Sequence, residues 1–219
     1  ICWSDHMPKG IPLTEEEQAR RRHEIFHQVV KVFVKKGFRE ASMHEIAQAA
    51  GLGKSTLYDY FKTKDEILIY FFADQLSDLT DEAQKIALQN LSADKRLRQI
   101  MEKYLESLQE NKNLFLKLMQ EAQCLKPEGQ KQVQEKRHAY QDLVRALIDE
   151  GIREGVFRNV NSLLAARLLI SGISSVIYGS RPTGTLEEML NETLDVFFKV
   201  GVTQLKKQTQ RTAANFTNY

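Results

Sequence analysis

Segments of the form Ser/Thr-x-x-Glu punctuate this chain, among them Ser42-Met-His-Glu45, Thr63-Lys-Asp-Glu66 and Thr185-Leu-Glu-Glu188. In such a capping box the hydroxyl accepts a hydrogen bond from the backbone N–H three residues on. The carboxylate accepts one from the cap residue's own N–H, so each box predicts the first turn of a helix. Between the boxes, breakers are scarce. Four prolines and eleven glycines in 219 residues are too few for an all-β chain, which needs a turn about every 8–12 residues. The expected fold class is therefore all-α, with about nine helices and no strand. A chain of this length buries a substantial core without disulfides or metals.

The apolar spacing places the helices. Thr14 with Glu15, Glu16 and Glu17 marks an N-terminus, acids being favourable at a helix's positive end. Ile25, Phe26, Val29, Val30 and Phe33 then form one stripe that Gly37 ends. Ser42 opens a second helix of about two turns, closed by Gly51. Leu52-Gly53 forms a tight turn, and a short helix follows from Lys54 to about Tyr60, with Leu57 and Phe61 sharing its inner face. Thr63 opens a long helix reaching about Leu88. Further starts fall at Ser92, near Asn113, near Glu128 after Pro127, at Asn161 and at Thr185.

Charge is uneven along the chain. The net value is +2, but Arg20 to Lys64 carries ten Lys or Arg against four Asp or Glu, so the remainder is negative. Such asymmetry fits either a region that meets a polyanion or a solvated basic face. Two short helices joined by a glycine-containing turn and packed on a longer one form a DNA-binding arrangement. The second helix must be slim enough to enter a major groove about 12 Å wide.

Cys2 and Cys124 are the only cysteines, so no disulfide framework is expected and a reducing cytoplasm is the natural setting. Cys124 reads as a small, partly buried apolar residue or as a redox sensor. No apolar run approaches the roughly 18–20 residues of a membrane span. The opening Ile1-Cys-Trp-Ser-Asp-His-Met7 lacks a signal peptide's features and reads as a tag remnant with Met7 as the start. The expected organisation is a tag remnant and arm over 1–13, and a helix-turn-helix domain over 14–61. A second helical domain over 62–207 and a disordered tail over 208–219 complete it.

At the helix-turn-helix the resemblance to a known family becomes specific. Gly37-Phe38, Ser42, Ile46-Ala47, Ala50-Gly51, Thr56-Leu57-Tyr58, Phe61, Lys64 and Leu68 fall in register with the DNA-binding domain of the TetR family. The resemblance is close over roughly residues 20 to 70. Beyond that it rests on helix number and length and on the Gly151-Ile-Arg-Glu-Gly-Val-Phe157 pattern. It implies a sequence-specific transcriptional regulator. Lys54, Ser55, Thr56 and Tyr58 would face the groove, and Ser42, Tyr58, Tyr60 and Lys64 would contact phosphates. Arg20, Arg21 and Arg22 would steer binding, or Arg22 would pair with a first-turn glutamate. Three residues depart from the pattern: Gly53 replaces a serine cap, Ser55 replaces a glycine, and Asp59 puts an anion on the recognition helix. Asp59 would accept from a cytosine amine or pair with a neighbouring cation.

The C-terminal half carries no phosphate loop, no Cys/His cluster at metal spacing and no Ser/His/Asp pattern, so neither enzyme activity nor a cofactor is expected. His44 and His138 are isolated. Small and branched residues fill Asn161 to Gly179, and the final helix carries two apolar stripes. A helix apolar on two sides needs two partners. The resemblance implies that the second is a copy of the same chain in a two-fold dimer, with Leu169, Gly172, Ile173, Val176, Leu190, Leu194 and Phe197 at the interface. Burial of both stripes within a monomer is the alternative. The resemblance also implies an effector pocket among the middle helices, for which Phe72, Tyr104, Phe115, Met119, Tyr140 and Val144 are candidates. Those residues suit an apolar or aromatic small molecule, or plain core packing. A repressor of this kind would leave its palindromic operator when ligand favours a dimer with wrongly spaced heads. An architectural or division-control protein without an effector is the alternative function.

Overall fold

The computed structural model describes residues 14–110, 112–179 and 184–195. Eight helices follow in order: α1 Glu15–Lys36, α2 Met43–Ala49, α3 Lys54–Tyr60, α4 Lys64–Ala87, α5 Ala93–Glu110, α6 Lys112–Ala122, α7 Pro127–Arg153 and α8 Ser162–Tyr178. Residues 186–195 are helical as well, and no strand occurs among the described residues. None of the described helices is long and apolar enough to cross a membrane. The arm at 1–13, the tail at 208–219 and Phe197 lie outside the described residues.

The caps act as their chemistry dictates, with one exception. Ser42 Oγ accepts from Glu45 N while Glu45 Oε2 accepts from Ser42 N, closing the box. Thr185 and Glu188 do the same. A further box, Thr14 with Glu17, starts α1. At Thr63 only half of the box forms: Thr63 Oγ1 accepts from Glu66 N, but the Glu66 carboxylate accepts from Lys62 N at 2.6 Å instead of from Thr63 N. The carboxylate thus ties the end of the preceding loop to α4. Gly37 ends α1 with φ +93°, a conformation that side-chain-bearing residues rarely adopt.

The chain divides into two compact units between Ile67 and Leu68. This boundary is six residues beyond the one expected from sequence, because the first turn of α4 carries the fully buried Ile67. In the first unit Ile25, Phe26, Val29 and Phe33 of α1 are buried, as are Ile46 and Ala47 of α2 and Leu57 and Phe61 beside the turn. Burying each such side chain contributes about 1.5–3 kcal/mol, enough together to hold three short elements.

In the second unit α5, α7 and α8 share one core that includes Leu97, Ile100, Met101, Val144, Leu147, Leu169 and Ile173. That core corrects part of the expected dimer surface. Leu169, Ile173, Leu190 and Leu194 are each no more than 6% exposed within the protomer itself. The helical period explains it: Ala166, Leu169, Ile173 and Ile177 occupy one face of α8, and that face turns inward. Leu164 and Leu168, on a different row, are about half exposed (54% and 51%). Gly172 and Val176 continue that row and are partly exposed. Cys124 is exposed rather than partly buried, because α6 has ended two residues earlier.

Candidate nucleic-acid interface and cavity

α3 is seven residues long and presents two kinds of surface. Leu57 and Phe61, four apart, are inaccessible to solvent. Lys54, Ser55, Thr56 and Asp59 are exposed, and Tyr58 and Tyr60 are partly so. Lys54 Nζ lies 5.9 Å from the centre of the Tyr58 ring, so the cation and the phenol occupy one side of the helix. Gly53 supplies no side-chain cap to α3. Asp59 is exposed and makes no ion pair among the described residues.

The phosphate candidates prove to be structural as well. Lys64 Nζ donates to Phe38 O at 2.9 Å and to Arg39 O at 2.8 Å, and it sits 5.1 Å from the centre of the Phe38 ring. An ammonium has three N–H groups, so this fastening of the α1–α2 turn leaves one donor for a phosphate. Ser42 Oγ donates to Glu45 Oε2 at 2.9 Å. The Glu45 carboxylate is held down at about 2 by a hydrogen bond from the Lys36 ammonium and by those from the Ser42 backbone and hydroxyl. An anion beside Ser42 opposes a phosphate there, so Ser42 has a weaker claim than Lys54 or Tyr58. Of the arginines, Arg21 pairs with Glu24 at 2.9 Å, whereas Arg22 lies over the Phe61 ring, 4.7 Å from its centre. A guanidinium on that ring braces the foot of α3 against α1.

The second unit holds a cavity of about 450 Å³ lined by α4, α5, α6, α7 and α8. Phe72, Tyr104, Phe115, Met119 and Tyr140 line it; Val144, the sixth candidate, does not, being fully buried in the core one turn beyond Tyr140. One wall is aromatic. Phe72 meets Phe115 edge-on with centroids 5.6 Å apart, and Phe115 stacks on Tyr178 at 5.3 Å with planes 9° apart. A second aromatic pair in the lining, Tyr104 and Tyr140, has centroids 5.6 Å apart.

Sequence reasoning named five of the lining residues and missed the apolar Leu76, Leu79, Leu108 and Ile170 together with a polar set: Gln75, Ser107, Arg137, Gln141, Arg167, Ser171, Ser174, Ser175 and Tyr178. The signal was present on α8, where Arg167, Ser171, Ser174 and Tyr178 recur at spacings of three or four within an otherwise apolar helix. Arg137 and Arg167 line the cavity and are nevertheless exposed, which places cationic groups where it meets water. Burial raises the phenols of Tyr104, Tyr140 and Tyr178 above the ordinary tyrosine value and keeps them neutral donors.

Two family profiles match the chain. A family profile described as bacterial regulatory proteins, tetR family, matches residues 25–71. Another, tetracyclin repressor-like, C-terminal domain, matches residues 90–199. The chain is similar to the fatty acid metabolism regulator protein of Bacillus subtilis, 24% identical over 149 residues, 68% of this chain and 77% of that protein. Its fold is similar to the crystal structure of FadR from Bacillus subtilis in complex with stearoyl-CoA, with TM-score 0.70, 21% identity, and coverage of 80% of this chain and 97% of that one. AibR in complex with isovaleryl coenzyme A and operator DNA has TM-score 0.66 at 18% identity, covering 81% and 98%.

Proposed function

The chain belongs to the TetR family of DNA-binding transcriptional regulators, and from that premise we propose that it is a homodimeric repressor released from a palindromic operator by an acyl thioester. The observation that carries this reading is the cavity: an aromatic chamber inside the second unit, with Arg137 and Arg167 where it meets solvent. Its volume of about 450 Å³ lies within the range of small-molecule sites. An acyl chain would occupy the space between Phe72, Phe115 and Met119, while an anionic headgroup would meet the two guanidiniums. Two structurally similar proteins were crystallised with acyl-CoA ligands of very different chain length, which supports this ligand class. A packed interior would have favoured a regulator without an effector.

On the DNA side, Lys54, Ser55, Thr56 and Tyr58 of α3 would read base edges, with Tyr60 and Lys64 on phosphates. The dimer would form through α8 and the helix at 186–195, using the row Leu164, Leu168, Gly172 and Val176 in place of the interior residues Leu169 and Ile173. Two such heads would read half-sites roughly 34–36 Å apart, or a spacing compatible with it. Ligand in the cavity would favour a dimer whose heads miss that spacing.

The test begins with an operator recovered by selection from random DNA. Palmitoyl-CoA is then titrated onto the complex in a mobility-shift assay. Release of the operator at micromolar ligand is expected, and free coenzyme A should have no effect. A complex untouched by acyl-CoA of any chain length refutes the effector class, and binding unaffected by salt refutes the DNA interface.

A further inference from the structure

Three phenols meet in the cavity, and their hydrogen bonds do not balance. Ser174 Oγ donates its one proton to Ile170 O at 2.9 Å. Tyr104 must therefore be the donor in its 2.6 Å contact with Ser174 Oγ. That leaves Tyr104 satisfied. The hydroxyls of Tyr140 and Tyr178 are buried and find no partner among the described residues. Tyr140 is only 2% exposed, and both residues line the cavity.

A buried donor without an acceptor is destabilising, and here two such donors face one chamber. A saturated hydrocarbon chain filling that chamber would seal both away from water and leave the cost in place. A ligand with an oxygen acceptor at this level would remove it. Alkyl packing is already available along Phe72, Phe115 and Met119, so the phenols are not needed for the tail. We propose that Tyr140 and Tyr178 together form a carbonyl-recognition subsite, donating to the acyl oxygen of the bound ligand and holding it inside the cavity. The apolar tail then lies toward Phe72 and Phe115 and the headgroup toward Arg137. This rests on the acyl-thioester reading and adds to it the point at which the ligand is read: the protein selects for an oxygenated carbon, with chain length secondary.

The test uses the full chain and two pairs of probes: octanoyl-CoA and palmitoyl-CoA, each against its thioether counterpart, S-octyl-CoA and S-hexadecyl-CoA, which lacks only the carbonyl oxygen. Isothermal titration calorimetry on the wild-type protein should show the thioesters binding at least about tenfold more tightly. The Tyr140→Phe/Tyr178→Phe variant should lose that preference while binding the thioethers as well as the wild type does. Its thermal midpoint should be unchanged or raised, because it removes two unpaired buried hydroxyls. The wild-type comparison needs no variant, so a variant that failed to fold would leave the decisive measurement intact. Equal binding of thioester and thioether by the wild type overturns the subsite and leaves the acyl-thioester effector standing. A preference that survives in the variant overturns the assignment to these two phenols. If none of the four probes binds, the effector reading itself fails and the subsite fails with it.

Discussion

α3 and the cavity wall on α8 both present polar side chains from a helix whose other face is buried, yet they impose opposite demands. α3 has seven residues and is held by Leu57 and Phe61 alone, so nearly everything else on it faces outward. Its polar groups are wet before DNA arrives, and binding exchanges water for phosphate and base edges. On α8 the polar row Ser171, Ser174 and Tyr178 runs beside the core row Leu169, Ile173 and Ile177. There the Tyr178 hydroxyl is taken from water by folding without gaining a partner among the described residues, while Ser174 Oγ is already engaged with Ile170 O and Tyr104. An exposed polar face announces its partner by shape and charge. A buried one announces it by what is missing.

The largest effect expected from a single change separates the two units. Phe61→Ala removes a side chain with no solvent exposure that also supports Arg22. It should destabilise the first unit by about 3–5 kcal/mol. Operator binding should be lost in a mobility-shift assay, while calorimetry should still show palmitoyl-CoA binding in the second unit. Loss of both would mean that the two units fold as one, and the contrast drawn above would collapse. The reciprocal change is Gly151→Ala. A Cβ there would lie 2.3 Å from Phe157 Cδ2 and 2.4 Å from Cε2, on a buried ring that cannot turn aside. A cost of about 1–3 kcal/mol is expected. Hydrogen exchange should rise in α7 and α8 and stay unchanged in α2 and α3.

These two positions also mark how far the sequence could be read. The helix-turn-helix was legible almost entirely, because a capping box, a glycine turn and a pair of apolar residues four apart leave one arrangement for so short a segment. Leu57, Phe61 and the exposed set on α3 fall where periodicity placed them. The cavity was legible only on its aromatic side. Periodicity identifies residues that face inward, but it cannot tell a filled interior from a hollow one, and Val144 illustrates the failure: it faces inward and is core. The polar lining escaped chiefly because Ser, Gln and Arg on a helix ordinarily read as surface. Four of the residues expected at a dimer face, Leu169, Ile173, Leu190 and Leu194, are buried in the protomer's own core for a related reason. A helix apolar on two sides does not say by its spacing which stripe packs within the protomer. Lys64 was legible as a residue that matters and illegible as a structural one, since its carbonyl partners lie 25 and 26 residues away.

Lys64 offers the next test, because it lies on both sides of the contrast between structural and functional polar groups. Lys64→Ala should lower the stability of the first unit by about 1 kcal/mol through loss of two charge-assisted hydrogen bonds, discounted for partial exposure. It should also flatten the dependence of log affinity on log salt by about one unit. Lys54→Ala should flatten the slope by a similar amount with no change in stability, its side chain being exposed. A Lys64→Ala protein of lowered stability and unchanged slope would make Lys64 a fastener only.

The smallest effect concerns acid. Glu45 in the first unit has its carboxyl lowered from an ordinary 4.5 to about 2, first by the Lys36 ammonium and then by the Ser42 backbone and hydroxyl. Glu150 in the second unit is lowered chiefly by Arg96 Nη2, 2.6 Å away. A carboxyl whose value is lower in the folded state binds fewer protons there than in the unfolded chain. The stability it contributes is therefore complete above the unfolded value near 4.5 and declines as pH falls toward 2. The first unit should weaken across that window through Glu45, and the second should weaken as pH falls below the ordinary 4.5 through Glu150. Glu45→Gln should flatten the acid limb seen by hydrogen exchange in α2 and leave that of α7 as it was, and Glu150→Gln should do the reverse. Because both glutamates are partly exposed, the changes should be modest and should shrink at high salt. If Glu45→Gln moved the acid limb of α7 as much as that of α2, the two units would share one unfolding step, and the independence on which the comparison of α3 with α8 depends would be gone.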